Sequence, residues 1–139
     1  MSHKSALQMI GNPQIIKFNF ERLNEYNRTI SFEININNII KDEQKTSCKV
    51  VQHIQIFSKE ENSPFIAEVI AEAKYEWEDD TKDVNREMFM KYSAPSTILA
   101  YIRPIITQVL IYSGLPDFRL PIINMFNVVN ENEKKQENK

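Results

Sequence analysis

The sequence predicts an α+β fold, a four-stranded antiparallel sheet with helices packed on one of its faces. Four segments between residues 15 and 78 alternate apolar and polar side chains with a period of two, which is typical of half-buried strands. A long apolar segment with helical periodicity follows them. Strands first and helices second is the order typical of an antiparallel sheet with helices gathered on one side.

The predicted strands span residues 15–23, 28–37, 48–57 and 65–78. The fourth is the most regular, with an apolar residue at every odd position from 65 to 77. The third is less regular because a glutamine interrupts its apolar face. The core-facing positions expected in the first three strands are Ile16, Phe18 and Phe20, then Ile30, Phe32, Ile34 and Ile36, then Cys48, Val50, Ile54 and Ile56.

Helical periodicity follows the fourth strand. A shorter helical segment is predicted over residues 83–92 and one long helix over residues 93–114. Gly114 and Pro116 are typical of a left-handed cap that ends a helix and a proline that blocks its continuation. Pro104 lies inside the long helix and removes a backbone hydrogen bond, so a kink or break is expected there.

The length of 139 residues predicts a single domain. Its expected parts are a flexible N-terminus over residues 1–13, a folded core over 14–129 and a disordered charged tail over 130–139. The last part of that core, residues 115–129, is expected to be an extended arm because prolines punctuate it.

The long helix is apolar on more than one side, so covering the sheet does not bury it completely. We expect the surplus surface to pack against a second copy of the chain. The apolar run is interrupted by Arg103 and Pro104 and is shorter than the roughly 20 residues that a membrane span requires, so no membrane insertion is expected. The stripe predicted to form the oligomer interface is Ile98, Ile102, Ile105, Val109 and Tyr112.

Composition excludes several classes of function. The net charge of −2 and the isoelectric point near 5.7 give no electrostatic reason to expect nucleic acid as a partner. Cys48 is the single cysteine, and no apolar leader begins the chain, so a reducing cytoplasmic location is expected. With 2 glycines, a glycine-rich phosphate loop is not expected either.

No catalytic constellation is present, and we expect neither an enzyme nor a bound metal or cofactor. His53 falls on the polar face of a strand and Cys48 on an apolar face, where a buried, inert thiol is expected. Asp79 and Asp80 lie in an acidic segment that lacks the glycine and the final glutamate of a calcium-binding loop. This segment is therefore interpreted as a solvated turn.

The segment from residue 94 to residue 126 resembles the signature region of the SecB family of protein-export chaperones. That region has a proline near the helix start, an aromatic residue and an arginine, a long apolar helix, a glycine and proline turn, and a short arm. The glycine and the arm proline are offset by one position here, at Gly114 and Pro121, and Met125 replaces the usual phenylalanine. The positions that match the signature are Pro95, Ile98, Leu99, Tyr101, Arg103, Pro116, Leu120 and Asn124.

The resemblance implies a subunit that assembles as a dimer of dimers and binds unfolded polypeptides in apolar grooves without ATP. It also implies delivery of these clients to the SecA motor. The residues that it assigns to the client groove are Leu115, Phe118, Leu120, Ile122, Met125 and Phe126, with Phe118 and Met125 preferred. Extended clients are expected to add main-chain hydrogen bonds at a sheet edge.

The same resemblance implies a partner-docking surface on the sheet, formed by Glu21, Ile66 and Glu68. A fourth position of that surface, acidic in the family, is Lys17 here, and this charge reversal argues against SecA docking. The linker after the first strand is short, and the C-terminal helix of the family is curtailed. Two alternatives therefore stay open: a SecB-like chaperone associated with a toxin–antitoxin system, and an oligomeric adaptor that binds one specific folded partner.

Overall fold

The computed structural model describes residues 7–23, 33–57, 63–78, 83–115, 120 and 123–137. Four strands come first and the helical elements follow. These elements are β1 (Leu7–Arg22), β2 (Ile34–Lys41), β3 (Ser47–Ile56), β4 (Phe65–Trp77), α1 (Asp83–Met88), a π-helical turn (Phe89–Ser93), α2 (Ala94–Tyr112) and α3 (Met125–Glu137).

The four strands form one antiparallel sheet in the order β1-β4-β3-β2. Helix α2 packs on β3 and β4, and α3 packs on β2 and on the π-helical turn. The predicted α+β architecture is therefore confirmed. We call the face that meets these helices the inner face of the sheet and the opposite face the outer face. The alternation predicted for the fourth strand is confirmed, because the inner-face residues Phe65, Ala67, Val69, Ala71, Ala73, Tyr75 and Trp77 are all buried.

The first strand differs from the prediction at both its start and its face pattern. It begins at Leu7, so the expectation of a flexible N-terminus is wrong for residues 7–13. The pairing with β4 shifts between Ile15 and Lys17, which leaves Ile16 as a bulged residue that is 56% exposed. A bulge adds one residue to its strand, so Ile16 no longer shares a face with Phe18.

The second strand starts at Ile34 and runs to Lys41, beyond the predicted end at residue 37. Ile36 is buried on the inner face as predicted. Residues 28–32 of the predicted strand, with Ile30 and Phe32, lie outside the described residues.

Gln52 does not interrupt the third strand but lies fully buried on its inner face. Its amide nitrogen Nε2 donates to the side-chain oxygen of Asn38 and to the backbone carbonyl of Pro95, both at 2.9 Å. These bonds satisfy the buried amide nitrogen, whereas the amide oxygen Oε1 is buried without a partner among the described residues. Gln52 therefore ties the middle of the sheet to the first turn of α2.

The helix α2 ends as predicted and continues through Pro104. Gly114 has a φ of 80°, its N–H donates to Ile111, and the N–H of Leu115 donates to the carbonyl of Leu110 at 2.9 Å. These are the bonds of a Schellman cap. Of the kink or break expected at Pro104, the break does not occur, because the helix continues through this residue. Pro104 and Ala100, whose carbonyl loses its bond, are both exposed, so water can reach the freed group.

Helix α3 over Met125–Glu137 replaces residues 125–129 of the predicted extended arm and the described part of the predicted disordered tail. Asn124 caps this helix: its side-chain oxygen accepts from the N–H of Phe126 at 3.0 Å, and its carbonyl accepts from Asn127. Asparagine is among the best residues at this position. The expectation of disorder is therefore wrong for residues 130–137, although these residues are polar.

Candidate functional site

The structure brings together the three residues predicted to dock a partner. On the outer face Glu21 of β1 lies opposite Ile66 of β4, and Glu68 lies two residues further along the same strand. All three line one cavity of about 430 Å³. The other lining residues are Asn19, Phe20, Gln55, Phe57 and Ala67.

Phe20 and Phe57 line this cavity from the side of the core. Phe57 is buried, and its ring meets Phe65 edge-on with centroids 5.2 Å apart. Phe20 packs on the same ring at 5.5 Å. Phe57 also has a φ of 51°, a left-handed conformation that is strained for a bulky residue. Phe57 takes this conformation directly after the last residue of β3.

The carboxylate of Glu68 is not available as an isolated negative charge. Lys17 Nζ lies 2.7 Å from one of its oxygens and His53 Nε2 lies 2.9 Å from the other. The hydrogen bonds from Lys17 and then from His53 lower the pKa of Glu68 below its ordinary value. Further along this face Lys49 lies 3.4 Å from Glu72. The outer face therefore presents alternating, paired charges rather than a net acidic field.

A second surface stands out on α2, where one face is apolar and exposed. Ile105 is 41% exposed and Tyr112 is 82% exposed, with Tyr101 and Ile111 beside them. Arg103 is the single charged residue of this helix, and its guanidinium donates to the carbonyl of Leu120. By length and composition alone the continuous segment Arg86–Tyr112 is apolar enough to cross a membrane, which is weak evidence because core helices pass the same test. Only 39% of its most apolar window is buried, so much of it lacks a cover in the described part of the subunit.

The structure divides the predicted oligomer stripe into two groups. Ile98 and Ile102 are buried within the subunit's own core, so they are not available to a second subunit, and the prediction is wrong for them. Ile105 and Tyr112 are exposed, and Val109 is partly exposed. A helix that is apolar around most of its circumference does not reveal from sequence which side meets its own sheet.

The predicted client groove is mostly core in this structure. Leu115, Leu120 and Met125 are buried with the other core residues, so their side chains are not accessible to a client. Phe126 is exposed and stacks on Tyr92 with centroids 4.9 Å apart. Phe118 and Ile122 lie outside the described residues.

Cys48 is buried, as predicted, and its thiol lies 3.3 Å from the thioether sulfur of Met90. Burial first, and then the charge of Glu43, raise the pKa of the thiol to about 11. A thiol with this pKa stays protonated at neutral pH and is a poor nucleophile. Among the described residues no group of three or more histidine, cysteine, aspartate or glutamate side chains is placed to hold a metal ion. Asp79 and Asp80 are not among these residues.

Sequence reasoning missed two features of these surfaces. The pairing of Lys17 and His53 with the one carboxylate of Glu68 depends on the order of three neighbouring strands, β1, β4 and β3, which alternation alone does not reveal. The contact of Asn132 with the carbonyl of Ile36 follows from α3, which was not expected to be a helix. Asn124 before two apolar residues was the signal that predicts its start.

Comparison with known proteins supports the fold. No protein-family model matches the sequence, and no curated protein does. A solved structure of the Rv1957 SecB-like chaperone from Mycobacterium tuberculosis, in complex with a ChAD peptide from the Rv1956 HigA1 antitoxin, superimposes with a TM-score of 0.68 at 11% identity. The match covers 85% of this chain and 91% of the other. The chain therefore has a SecB-like fold.

A protein of unknown function from Streptococcus agalactiae matches with a TM-score of 0.41 at 14% identity, covering 85% of this chain and 100% of that chain.

Proposed function

We propose that this protein is an ATP-independent, SecB-like chaperone that holds non-native polypeptide segments on apolar surface and prevents their aggregation. In this proposal it is a cytoplasmic binding protein with no enzymatic activity, and it works as a homo-oligomer of SecB-like subunits, a dimer of dimers. The SecB-like fold supports the proposal, because the solved structure that shares it is a chaperone holding a peptide.

The exposed apolar side chains of the subunit are the observation that carries the proposal. Isoleucines on β1 and β2, aromatic and aliphatic residues along α2, and one phenylalanine of α3 are each more than one third exposed. Four of them, Tyr101, Ile105, Ile111 and Tyr112, lie on the one helix α2, and exposed apolar patches usually mark sites that bind another polypeptide. The large apolar residues with this exposure are Ile10, Ile15, Ile16, Ile39, Ile40, Met88, Tyr101, Ile105, Ile111, Tyr112 and Phe126.

We assign the exposed face of α2 to assembly, because an uncharged helix face is best buried against a copy of itself. Ile105→Glu would place a charge in that interface without touching the subunit's core, so native mass should fall while the fold is retained. Asn37→Glu is the matched control, because Asn37 is exposed on the outer face of the sheet, away from α2. An unchanged native mass for Ile105→Glu contradicts this interface.

Holdase activity is tested by diluting chemically denatured citrate synthase, or reducing insulin, into buffer with this protein and without nucleotide. Light scattering is followed against the ratio of subunit to client. Suppression of both clients that saturates at a defined ratio, and that ATP does not change, is the expected result. If the protein suppresses the aggregation of neither client, the general chaperone proposal is contradicted.

A second candidate is an adaptor for one specific segment, such as that of an antitoxin, and the antitoxin peptide held by the Rv1957 chaperone favours it. An adaptor would bind a single partner and leave unrelated denatured proteins to aggregate. Delivery of clients to SecA is less favoured than either role, because Lys17 neutralises Glu68 on the proposed docking face. Lys17→Glu should then strengthen binding of a basic partner to that face, whereas an unchanged affinity contradicts this electrostatic reason.

A further inference from the structure

We propose that an extended, apolar polypeptide segment pairs with the open edge of β2, through the outward-facing main-chain groups of Ile36, Asn38 and Ile40. The inference rests on the proposed function and deepens it, because it says where the chain binds a client and by which chemistry. The recognised feature is an unpaired backbone with alternating apolar side chains, so it does not depend on one client sequence.

The direction of the main-chain groups of β2 follows from its pairing with β3. β2 is an edge strand, with β3 as its neighbour on one side. The N–H of Phe57 donates to the carbonyl of Glu33 at 3.0 Å, so the odd-numbered residues of β2 direct their N–H and C=O groups toward β3. Backbone groups alternate in an antiparallel strand, so the even-numbered residues direct theirs away from β3, to the open edge.

The other edge of the sheet is protected in ways that β2 is not. β1 contains two register irregularities, a glycine with positive φ at Gly11, and Pro13, which lacks an N–H. Bulges and prolines are the devices by which natural sheets prevent edge pairing. β2 pairs with β3 without a shift from Ile34 to Lys41 and contains no proline. It is therefore the edge on which a regular strand can add.

The side chains along β2 suit an apolar partner. Ile39 is 51% exposed on the outer face, and Ile40 is also exposed, on the inner side. A cavity of about 180 Å³ opens beside Asn38 and Ile40 and is roofed by Val129 of α3. A strand added to this edge would place alternate side chains against Ile39 and into this cavity, so segments that alternate apolar and polar residues should bind best.

Helix α3 already occupies part of the proposed site. The side-chain amide of Asn132 donates to the carbonyl of Ile36 at 2.9 Å, as an incoming strand would. Lys91 of the π-helical turn pairs with Glu133 and holds α3 in this position. An added strand must therefore compete with Asn132 at Ile36, while the main-chain groups of Asn38 and Ile40 have no partner among the described residues.

The experiment measures amide hydrogen exchange of the full-length protein by NMR, with and without a fluorescein-labelled Val-Thr-Val-Thr-Val-Thr peptide. The expected result is slower exchange at Asn38 and Ile40 when peptide is bound. The same peptide methylated on alternate backbone nitrogens should bind at least tenfold more weakly, because it cannot donate to the edge.

Two variants test the site from the protein side. Ile40→Pro removes the outward N–H without removing a hydrogen bond to β3 and should weaken peptide binding about three- to tenfold. Ile40→Thr, which keeps both the N–H and a β-branched side chain, is its matched control. Asn132→Ala frees the carbonyl of Ile36 and should strengthen binding several-fold.

Three results would overturn the inference. Peptide binding that neither protects these amides nor responds to backbone methylation places the client elsewhere and leaves the chaperone proposal standing. If the amides of Asn38 and Ile40 exchange slowly without peptide, and Ile40→Pro lowers the native mass, the edge is an interface between copies of this chain. Absence of binding to the peptide and to denatured proteins removes the chaperone proposal and this inference together.

Discussion

Replacing Tyr75 with phenylalanine should stabilise the protein, although most core substitutions do the opposite. Tyr75 is 1% exposed near the end of the interior strand β4, and its hydroxyl has no hydrogen-bond partner among the described residues. A buried hydroxyl that gives up water without gaining a partner costs about 1–3 kcal/mol. Phenylalanine keeps the ring, and with it the edge-on contact with Phe89 at 5.6 Å.

We therefore expect Tyr75→Phe to raise the free energy of unfolding by about 1–2 kcal/mol. Urea unfolding followed by circular dichroism measures this as a higher midpoint with an unchanged slope. Tyr101→Phe is the control, because its hydroxyl is on a side chain that is 45% exposed, and it should change stability by less than about 0.5 kcal/mol. Destabilisation by Tyr75→Phe would refute the reasoning, since it would show that the hydroxyl is hydrogen-bonded.

The same substitution changes the response to alkaline pH. Burial raises the pKa of Tyr75 from 10.0 to about 12, so the folded state favours the neutral phenol. The stability linked to this group is complete below pH 10 and is lost as pH rises from 10 toward 12. Tyr75→Phe removes that loss, so its advantage over the wild type should widen above pH 10. An advantage that does not change between pH 8 and pH 11.5 contradicts this linkage.

Three further predictions follow from single contacts. Asn124→Ala removes the cap of α3 and should destabilise that helix by about 1 kcal/mol. Faster amide hydrogen exchange in residues 125–131 measures this loss, and unchanged exchange contradicts the cap. Cys48 should react with iodoacetamide at pH 7.5 only after urea unfolds the chain, because its raised pKa of about 11 and its burial both protect the thiol. Modification of the native protein would contradict a buried, protonated thiol. The stability linked to the lowered pKa of Glu68 is complete above pH 4.5 and is lost as pH falls below it. The difference in the free energy of unfolding between wild type and Glu68→Gln should therefore shrink toward pH 3, and urea unfolding at each pH measures it.

The burial patterns of β3 and β4 were predictable because each of these strands has one apolar face. In β4 every odd residue from Phe65 to Trp77 is apolar and buried, so periodicity alone predicts both the strand and its orientation. Gly114 was predictable for a similar reason, since a left-handed cap favours glycine over other residues. These are local rules, and local rules were enough to place the four strands and the long helix.

Other features depend on contacts that a local pattern does not contain. The bulge at Ile16 leaves no mark in an alternating sequence, yet it removes Ile16 from the core-facing residues of β1. Helix α3 is polar over most of its length, and it is held by a cap, two buried apolar side chains, and the pairing of Lys91 with Glu133. Contacts such as these appear only when the fold is known.

The exposed face of α2 also could not be identified from the sequence alone. Ile98, Ile102 and Ile105 recur along one helix, and all three fit an interface equally well as sequence. The sheet buries the first two and leaves Ile105 exposed, so the apolar character of a helix specifies how much surface must be covered but not by which partner. Since α2 and the edge of β2 are separate elements, the proposed assembly surface and the proposed client surface are physically distinct. Variants of Ile105 and Ile40 should therefore affect native mass and client affinity independently, as expected for sites that share no contacts.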